Sequence, residues 1–146
     1  MSWFTPPLPI GMPAPDFSAP DQDGSRVTLS ALRGKNIILV FYPADDTSLC
    51  TKQLCEFRDR WSDVKTRNAV VFGVNPARSQ AHQKFRDKCK FPFPLLIDAG
   101  QKIAKLYQAD GWMGPKRTVY LVGPDGNVRY ARRGKPSPTE VLAAAA

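Results

Sequence analysis

Cys50 and Cys55 are the residues around which a reaction can be built. They close the stretch Phe41-Tyr42-Pro43-Ala44-Asp45-Asp46-Thr47-Ser48-Leu49-Cys50-Thr51-Lys52-Gln53-Leu54-Cys55, where an apolar run turns through proline and acidic residues into a helical pattern. Asp45, Asp46, Thr47 and Ser48 are capping residue types. Leu49, Leu54, Phe57, Trp61 and Val64 recur roughly every three or four positions, which predicts a helix starting near Ser48 and fading before Asn68. Cys50 then falls in the first turn, where free backbone N–H groups and the positive end of the helix dipole favour a thiolate over a thiol. A nucleophilic sulfur is one reading; a small buried apolar residue is the other.

Cys55 limits what that sulfur can do. In an intact helix, five residues give about 7.5 Å of rise and about 140° of rotation, so the two Cα atoms stand about 8.6 Å apart. A disulfide needs less than about 7 Å. The pair bridges only if the helix locally unwinds, which makes a Cys50–Cys55 bond a transient catalytic state and not a staple. The chain contains no Cys-x-x-Cys motif, which would need no such unwinding.

The elements that must hold these residues are legible around them. Asn36 to Tyr42 is a β-branched and aromatic run without polar alternation, as in a strand buried on both faces, and Pro43 ends it. Residues 69–75 predict a second apolar strand, and Pro76 and Ser79 introduce a helix through about Lys90. Strand, helix, strand, helix in this order implies a β-α-β unit with parallel strands. A short strand over residues 93–98 and a short helix over residues 101–107 follow. Residues 117–122 and 127–131 flank Gly123-Pro124-Asp125-Gly126, a hairpin signal that adds an antiparallel pair. Pro138 and Thr139 open a last helix ending in Ala143 to Ala146. Before the first apolar strand, residues 16–19 and 26–29 predict short edge strands, Ser30 to Gly34 one helical turn, and Met1 to Pro15 an irregular lead-in from which Trp3 and Phe4 pack on the body. The expectation is a single α/β domain over residues 1–146, a central mixed β-sheet flanked by helices.

Composition narrows the function classes. The 146 residues, 42% of them hydrophobic, suffice for one domain with a core. Three unevenly spaced cysteines do not suggest a disulfide scaffold, no secretory signal is visible, and no run of 18 apolar residues occurs, so the expected setting is a reducing one, the cytoplasm, away from membranes. The net charge of +8 invites a nucleic-acid reading. However, the 21 Lys and Arg residues are dispersed, with one modest concentration at Arg129, Arg132, Arg133 and Lys135, and no nucleic-acid-reading signature is present. A basic face that steers anionic or acidic partners is the better reading.

The residues around Cys50 closely resemble those of the peroxiredoxins, in particular the bacterioferritin-comigratory or peroxiredoxin Q group. The family's Pro-x-x-x-Thr-x-x-Cys pattern stands as Pro43, Thr47 and Cys50, and the group's second cysteine, five places on, as Cys55. The Phe-Tyr-Pro-x-Asp-Asp-Thr lead-in, Phe57-Arg58-Asp59, the Gly11-x-x-Ala14-Pro15-x-Phe17 opening, the Phe91 to Asp98 segment and the Arg117-Thr118 pair extend the likeness along nearly the whole chain. The resemblance implies a thioredoxin-like fold and a peroxidase in which peroxide oxidises Cys50 to a sulfenic acid and Cys55 resolves it. Pro43 would wall the pocket, Thr47 would place a hydroxyl beside the sulfur, and Arg117 would supply positive charge to thiolate and peroxide. It further implies no haem, flavin or metal, recycling by thioredoxin or a glutaredoxin-like dithiol, and a monomer, with a dimer open.

The remaining polar residues carry weaker expectations. Arg58 orders the pocket or pairs with Asp59, and Gln53 either hydrogen-bonds within the active-site helix or is solvated. Cys89 reads as a packing thiol and His82 as a structural or surface residue. Cys50, Cys55, His82 and Cys89 have zinc-ligand chemistry but not zinc-site spacing. The Trp112-Met113-Gly114 loop is expected to be exposed and to shape the pocket. Two rival functions stay open: a thiol-disulfide exchange enzyme without peroxidase activity, and a basic interaction or chaperone module.

Overall fold

A computed structural model describes residues 5–146; the packing expected of Trp3 and Phe4 lies outside them. The elements run β1 (Ser18–Pro20), β2 (Arg26–Thr28), β3 (Asn36–Phe41), α1 (Ser48–Asp59), α2 (Trp61–Thr66), β4 (Ala69–Asn75), α3 (Ser79–Cys89), β5 (Leu95–Ile97), α4 (Lys102–Leu106), β6 (Thr118–Val122), β7 (Val128–Arg133) and α5 (Pro138–Leu142). A five-stranded sheet has the order β5-β4-β3-β6-β7. β3 pairs in parallel with β4, and β4 with β5, while β6 joins β3 and β7 antiparallel. The sheet is therefore mixed and the fold thioredoxin-like. β1 and β2 form a separate two-stranded sheet.

β3 is central and buried at every position, which is why its sequence lacks polar alternation. Its side chains divide between two cores by the two-residue period of a strand. Ile38, Val40 and Tyr42 pack with Leu54, Phe57, Val64, Phe85, Val119 and Val141 on one face. Ile37, Leu39 and Phe41 pack with Phe72, Val74, Ile103, Tyr107 and Tyr120 on the other.

Several boundaries differ from the sequence expectation for identifiable reasons. The helix after Ser48 is two helices, because Arg60 leaves helical geometry at φ −106°, ψ 25°. Leu49 is 51% exposed: the buried stripe of α1 is Cys50, Gln53, Leu54 and Phe57, and Leu49 lies one position, about 100°, off it. Gly100 and Gln101 take left-handed angles, so α4 begins only at Lys102, where Asp98 accepts the backbone N–H groups of Ile103 and Ala104 at 2.8 and 2.9 Å. The expected strand over residues 93–98 is trimmed to β5, and α5 stops at Leu142. Beyond it, Ala146 exchanges two hydrogen bonds with the buried Asn36 side chain, at 2.9 and 3.0 Å.

The turn from β3 to α1 is fixed from α3. Tyr42 donates its hydroxyl to Asp45 Oδ1 at 2.6 Å, and the other Asp45 oxygen lies 2.6 Å from His82 Nδ1. His82 Nε2 faces the carbonyls of Asn75 and Leu96 at 3.2 and 3.0 Å, so each ring nitrogen has an oxygen within hydrogen-bond distance. Burial first, then the Asp45 carboxylate, push the Tyr42 phenol well above its usual range and keep it a neutral donor. Asn75 donates to the carbonyls of Tyr42 and Pro43, and Lys88 pairs with Asp46 at 2.9 Å.

Two stability outcomes follow. Gly73 in β4 faces Leu95 and Tyr42 so closely that a Cβ would lie 2.6 Å from Leu95 Cδ2 and 3.1 Å from Tyr42 Cε1. Gly73→Ala should therefore lower the unfolding free energy by about 1–3 kcal/mol in urea titration, because overpacking outweighs the entropy gain of losing glycine. His82→Leu leaves the nearly buried Asp45 carboxylate with the Tyr42 hydroxyl alone and should lose about 3 kcal/mol in the same measurement.

Candidate active site

The first turn of α1 brings Cys50 under the start of β6. Thr47 is the N-cap, with extended angles (φ −97°, ψ 153°), and its carbonyl accepts Thr51 N–H at 2.8 Å. Cys50 is buried while Ser48 and Leu49, just before it in the same turn, are exposed. The residues of β3 and the Pro43–Asp46 turn thus aim one sulfur inward at the end of the sheet.

Arg117 reaches that sulfur from the residue just before β6. Its Nη2 donates to Cys50 Sγ at 3.2 Å, and its Nη1 donates to Gln53 Oε1 at 2.8 Å. Gln53 is fully buried, and its own Nε2 donates to the Gly134 carbonyl at 3.4 Å, at the end of β7. A guanidinium held through two of its nitrogens, by the sulfur and by the buried Gln53 amide, has little freedom, so the charge beside the sulfur is fixed in place before any reactant arrives. Neither sequence reading of Gln53 describes the structure: it is not solvated, and its hydrogen bonds go to Arg117 and Gly134 and not within the active-site helix.

The other expected residues are placed less centrally. The Thr47 hydroxyl is exposed and donates to the Ala44 carbonyl at 3.1 Å. Pro43 is half-buried, and the 111–114 loop lies against it, since a Cβ on Gly114 (φ +100°) would fall 2.8 Å from the Pro43 carbonyl oxygen. Trp112 and Met113 at the tip of this loop are 77% and 75% exposed. Cys55 lies half-buried farther along the intact α1, so the geometry keeps it out of disulfide reach of Cys50. Arg58 pairs with Asp59 at 2.9 Å and donates Nη1 to the Cys89 carbonyl at 2.7 Å.

Of the two sequence readings, structural or surface, the structural one holds for His82. It is fully buried and not a surface residue, and neither ring nitrogen is left for a metal. The available signal was its spacing: His82, Phe85 and Cys89 fall on one face of α3, all buried. The basic concentration near the C-terminus is engaged within the chain. Arg129 donates to the Ala144 carbonyl, Arg132 pairs with Glu140, Arg133 donates to Thr118 and to the carbonyls of Thr5 and Gln108, and Lys135 pairs with Glu56. Among the described residues no helix is long and apolar enough to cross a membrane.

Comparison with known proteins agrees with this arrangement. Peroxiredoxin Bcp of Bacillus subtilis (strain 168) is 36% identical over 131 residues, covering 83% of this chain and 82% of that protein. Chloroplastic peroxiredoxin Q of Oryza sativa subsp. japonica is 39% identical over 123 residues, 82% of this chain. The match spans 57% of the rice protein's length. Among solved structures, peroxidoxin BcpB from Mycobacterium tuberculosis superposes with a TM-score of 0.88 at 29% identity, over 94% of this chain and 96% of that one. Xanthomonas campestris peroxiredoxin Q does so with a TM-score of 0.85 at 25% identity, over 92% and 95%. A sequence profile of the AhpC/TSA family matches residues 10–131, from the segment before β1 into β7, so that the strand, turn and helix carrying Cys50 and the arginine facing it all lie within the match: the chain belongs to the AhpC/TSA family.

Proposed function

We propose that this chain is a thiol-dependent peroxidase of the two-cysteine type, acting on hydrogen peroxide and organic hydroperoxides. The observation that carries the reading is the Arg117 guanidinium 3.2 Å from Cys50 Sγ and locked by Gln53. Peroxide reduction needs a sulfur anion, a donor to the O–O group and charge for the leaving oxygen, and one immobilised guanidinium beside a helix N-terminus serves all three. The Cys50 thiolate attacks the terminal peroxide oxygen, the O–O bond breaks, and the leaving alkoxide or hydroxide takes up a proton to give alcohol or water. Thr47, exposed at the N-cap, keeps hydroxyl lone pairs for the incoming peroxide, and Pro43 with the 111–114 loop walls the pocket.

The Cys55 thiol then displaces hydroxide from the Cys50 sulfenic acid, forming a disulfide and water. This step requires the first turn of α1 to open. Residues 47–49 are already exposed, so opening that turn uncovers little apolar surface. A dithiol protein such as thioredoxin or a glutaredoxin reduces the disulfide by exchange. Cys50, Cys55, Gln53 and Arg117 all come from one chain, which suits a monomer, and a cycle that returns Cys50 and Cys55 to free thiols suits a reducing compartment such as the cytoplasm.

Mass spectrometry after peroxide treatment tests the cycle. Cys50→Ser should lose peroxide consumption, and Cys55→Ser should accumulate Cys50 as sulfenic or overoxidised acid. If Cys50→Ser retains consumption, the assignment fails; if the wild type reduces protein disulfides but not peroxide, the exchange enzyme takes its place. Arg117→Lys, which cannot bind sulfur and Gln53 as a fork, should slow Cys50 oxidation by about 100-fold. Gln53→Ala, which leaves the guanidinium present but loose, should slow it by about tenfold.

A further inference from the structure

Cys89 takes no part in the chemistry above, but it is not isolated. It is the last residue of α3 and is buried in the same cluster as Cys50, with Cys55 packed against that cluster. Cys55 is near enough to the Cys89 thiol to bear on its titration. Arg58, one turn beyond Cys55 on α1, donates to the Cys89 carbonyl at 2.7 Å and ties the two helices at this point. Burial first, then the neighbouring Cys55, push the Cys89 thiol up, while Arg58 pulls it back, so Cys89 rests as a neutral thiol. The folded chain thus keeps Cys50 and Cys55 apart along a helix and holds Cys55 and Cys89 together across two.

We propose that Cys55 and Cys89 form a second redox-active pair, which takes over the disulfide from Cys50 and returns Cys50 to its reduced state before an external reductant acts. The inference rests on the peroxidase reading for the source of its oxidising equivalents. When the first turn of α1 opens, the exposed residues 47–49 allow Cys50 to travel to Cys55, which stays anchored beside Cys89 by the rest of the helix. Cys89, losing its proton, attacks Cys55 Sγ. The Cys55–Cys89 bond forms, the Cys50–Cys55 bond breaks, and Cys50 leaves as a thiolate. One disulfide is exchanged for another, and no further oxidant or reductant is consumed. The direction is set by the helix, because a Cys50–Cys55 bond holds the first turn open, whereas a Cys55–Cys89 bond lets it rewind and returns Cys50 to Arg117. The half-buried Cys55 is then the sulfur that a dithiol donor meets. Cys50 stands ready for a second peroxide while the first disulfide awaits reduction.

The test is disulfide mapping by alkylation and peptide mass spectrometry on two samples of the reduced, full-length protein. The first is wild type given a stoichiometric dose of hydrogen peroxide; the expected product carries Cys55 joined to Cys89 and Cys50 open to alkylation. The second is Cys50→Ser given the thiol oxidant diamide, which needs no peroxidase activity; here the same Cys55–Cys89 bond is expected. A wild-type product that stays as Cys50–Cys55 with Cys89 open to alkylation overturns the transfer. Absence of the Cys55–Cys89 bond in the diamide sample overturns the pair itself. If peroxide leaves Cys50 untouched while diamide closes the pair, the peroxidase reading fails and the pair stands as a redox site supplied from elsewhere.

Discussion

Cys50 and Cys55 share one helix, and an intact helix holds their Cα atoms about 8.6 Å apart, beyond the reach of a disulfide. The same turn of helix that presents Cys50 to Arg117 therefore forbids the bond that would complete the cycle. One state must be rigid enough to fix a charge 3.2 Å from the sulfur, and another must release that sulfur by several ångströms. Everything around α1 can be understood as dividing those two demands between its ends.

The C-terminal half of α1 is held. Leu54 and Phe57 are buried against the sheet, Arg58 reaches the end of α3, and Lys135 pairs with Glu56 at 2.7 Å. The turn before α1 is held as well, by Tyr42, Asp45 and His82 and by the Asp46–Lys88 pair. Between these anchors the first turn contributes one buried side chain, Cys50 itself, besides exposed Ser48 and Leu49. Local opening is cheapest where few apolar contacts are lost, so the flexible segment coincides with the reactive one. Arg117 and Gln53 then act as the latch that closes the turn when the sulfur is an anion.

The sequence was most legible where one physical requirement dominates. β3 is buried on both faces, so its apolar run could hardly be anything else, and the Gly123 to Gly126 turn fixes the hairpin of β6 and β7. Cys50 was legible through helix-entry chemistry and the family spacing, and its nearness to Arg117 through resemblance alone. The partners of Gln53 and His82 were not, because a polar residue's burial is decided far along the chain: by Arg117 and Gly134 for one, by Asp45 and the carbonyls of Asn75 and Leu96 for the other. The exposure of Leu49 and the break at Arg60 were hidden for the complementary reason. Cys50 and Gln53 occupy the buried stripe where a pattern of apolar residues would place leucine, and no proline or glycine marks the break.

The most direct measurement of the account is the rate at which hydrogen peroxide oxidises Cys50 in the fully reduced protein, followed by stopped-flow fluorescence, against free cysteine at the same pH. An immobilised guanidinium at the sulfur predicts a second-order rate constant at least about 1,000-fold above that of free cysteine. A rate constant equal to that of free cysteine would mean that the Cys50–Arg117–Gln53 arrangement does not activate the sulfur, and would contradict the account at its centre.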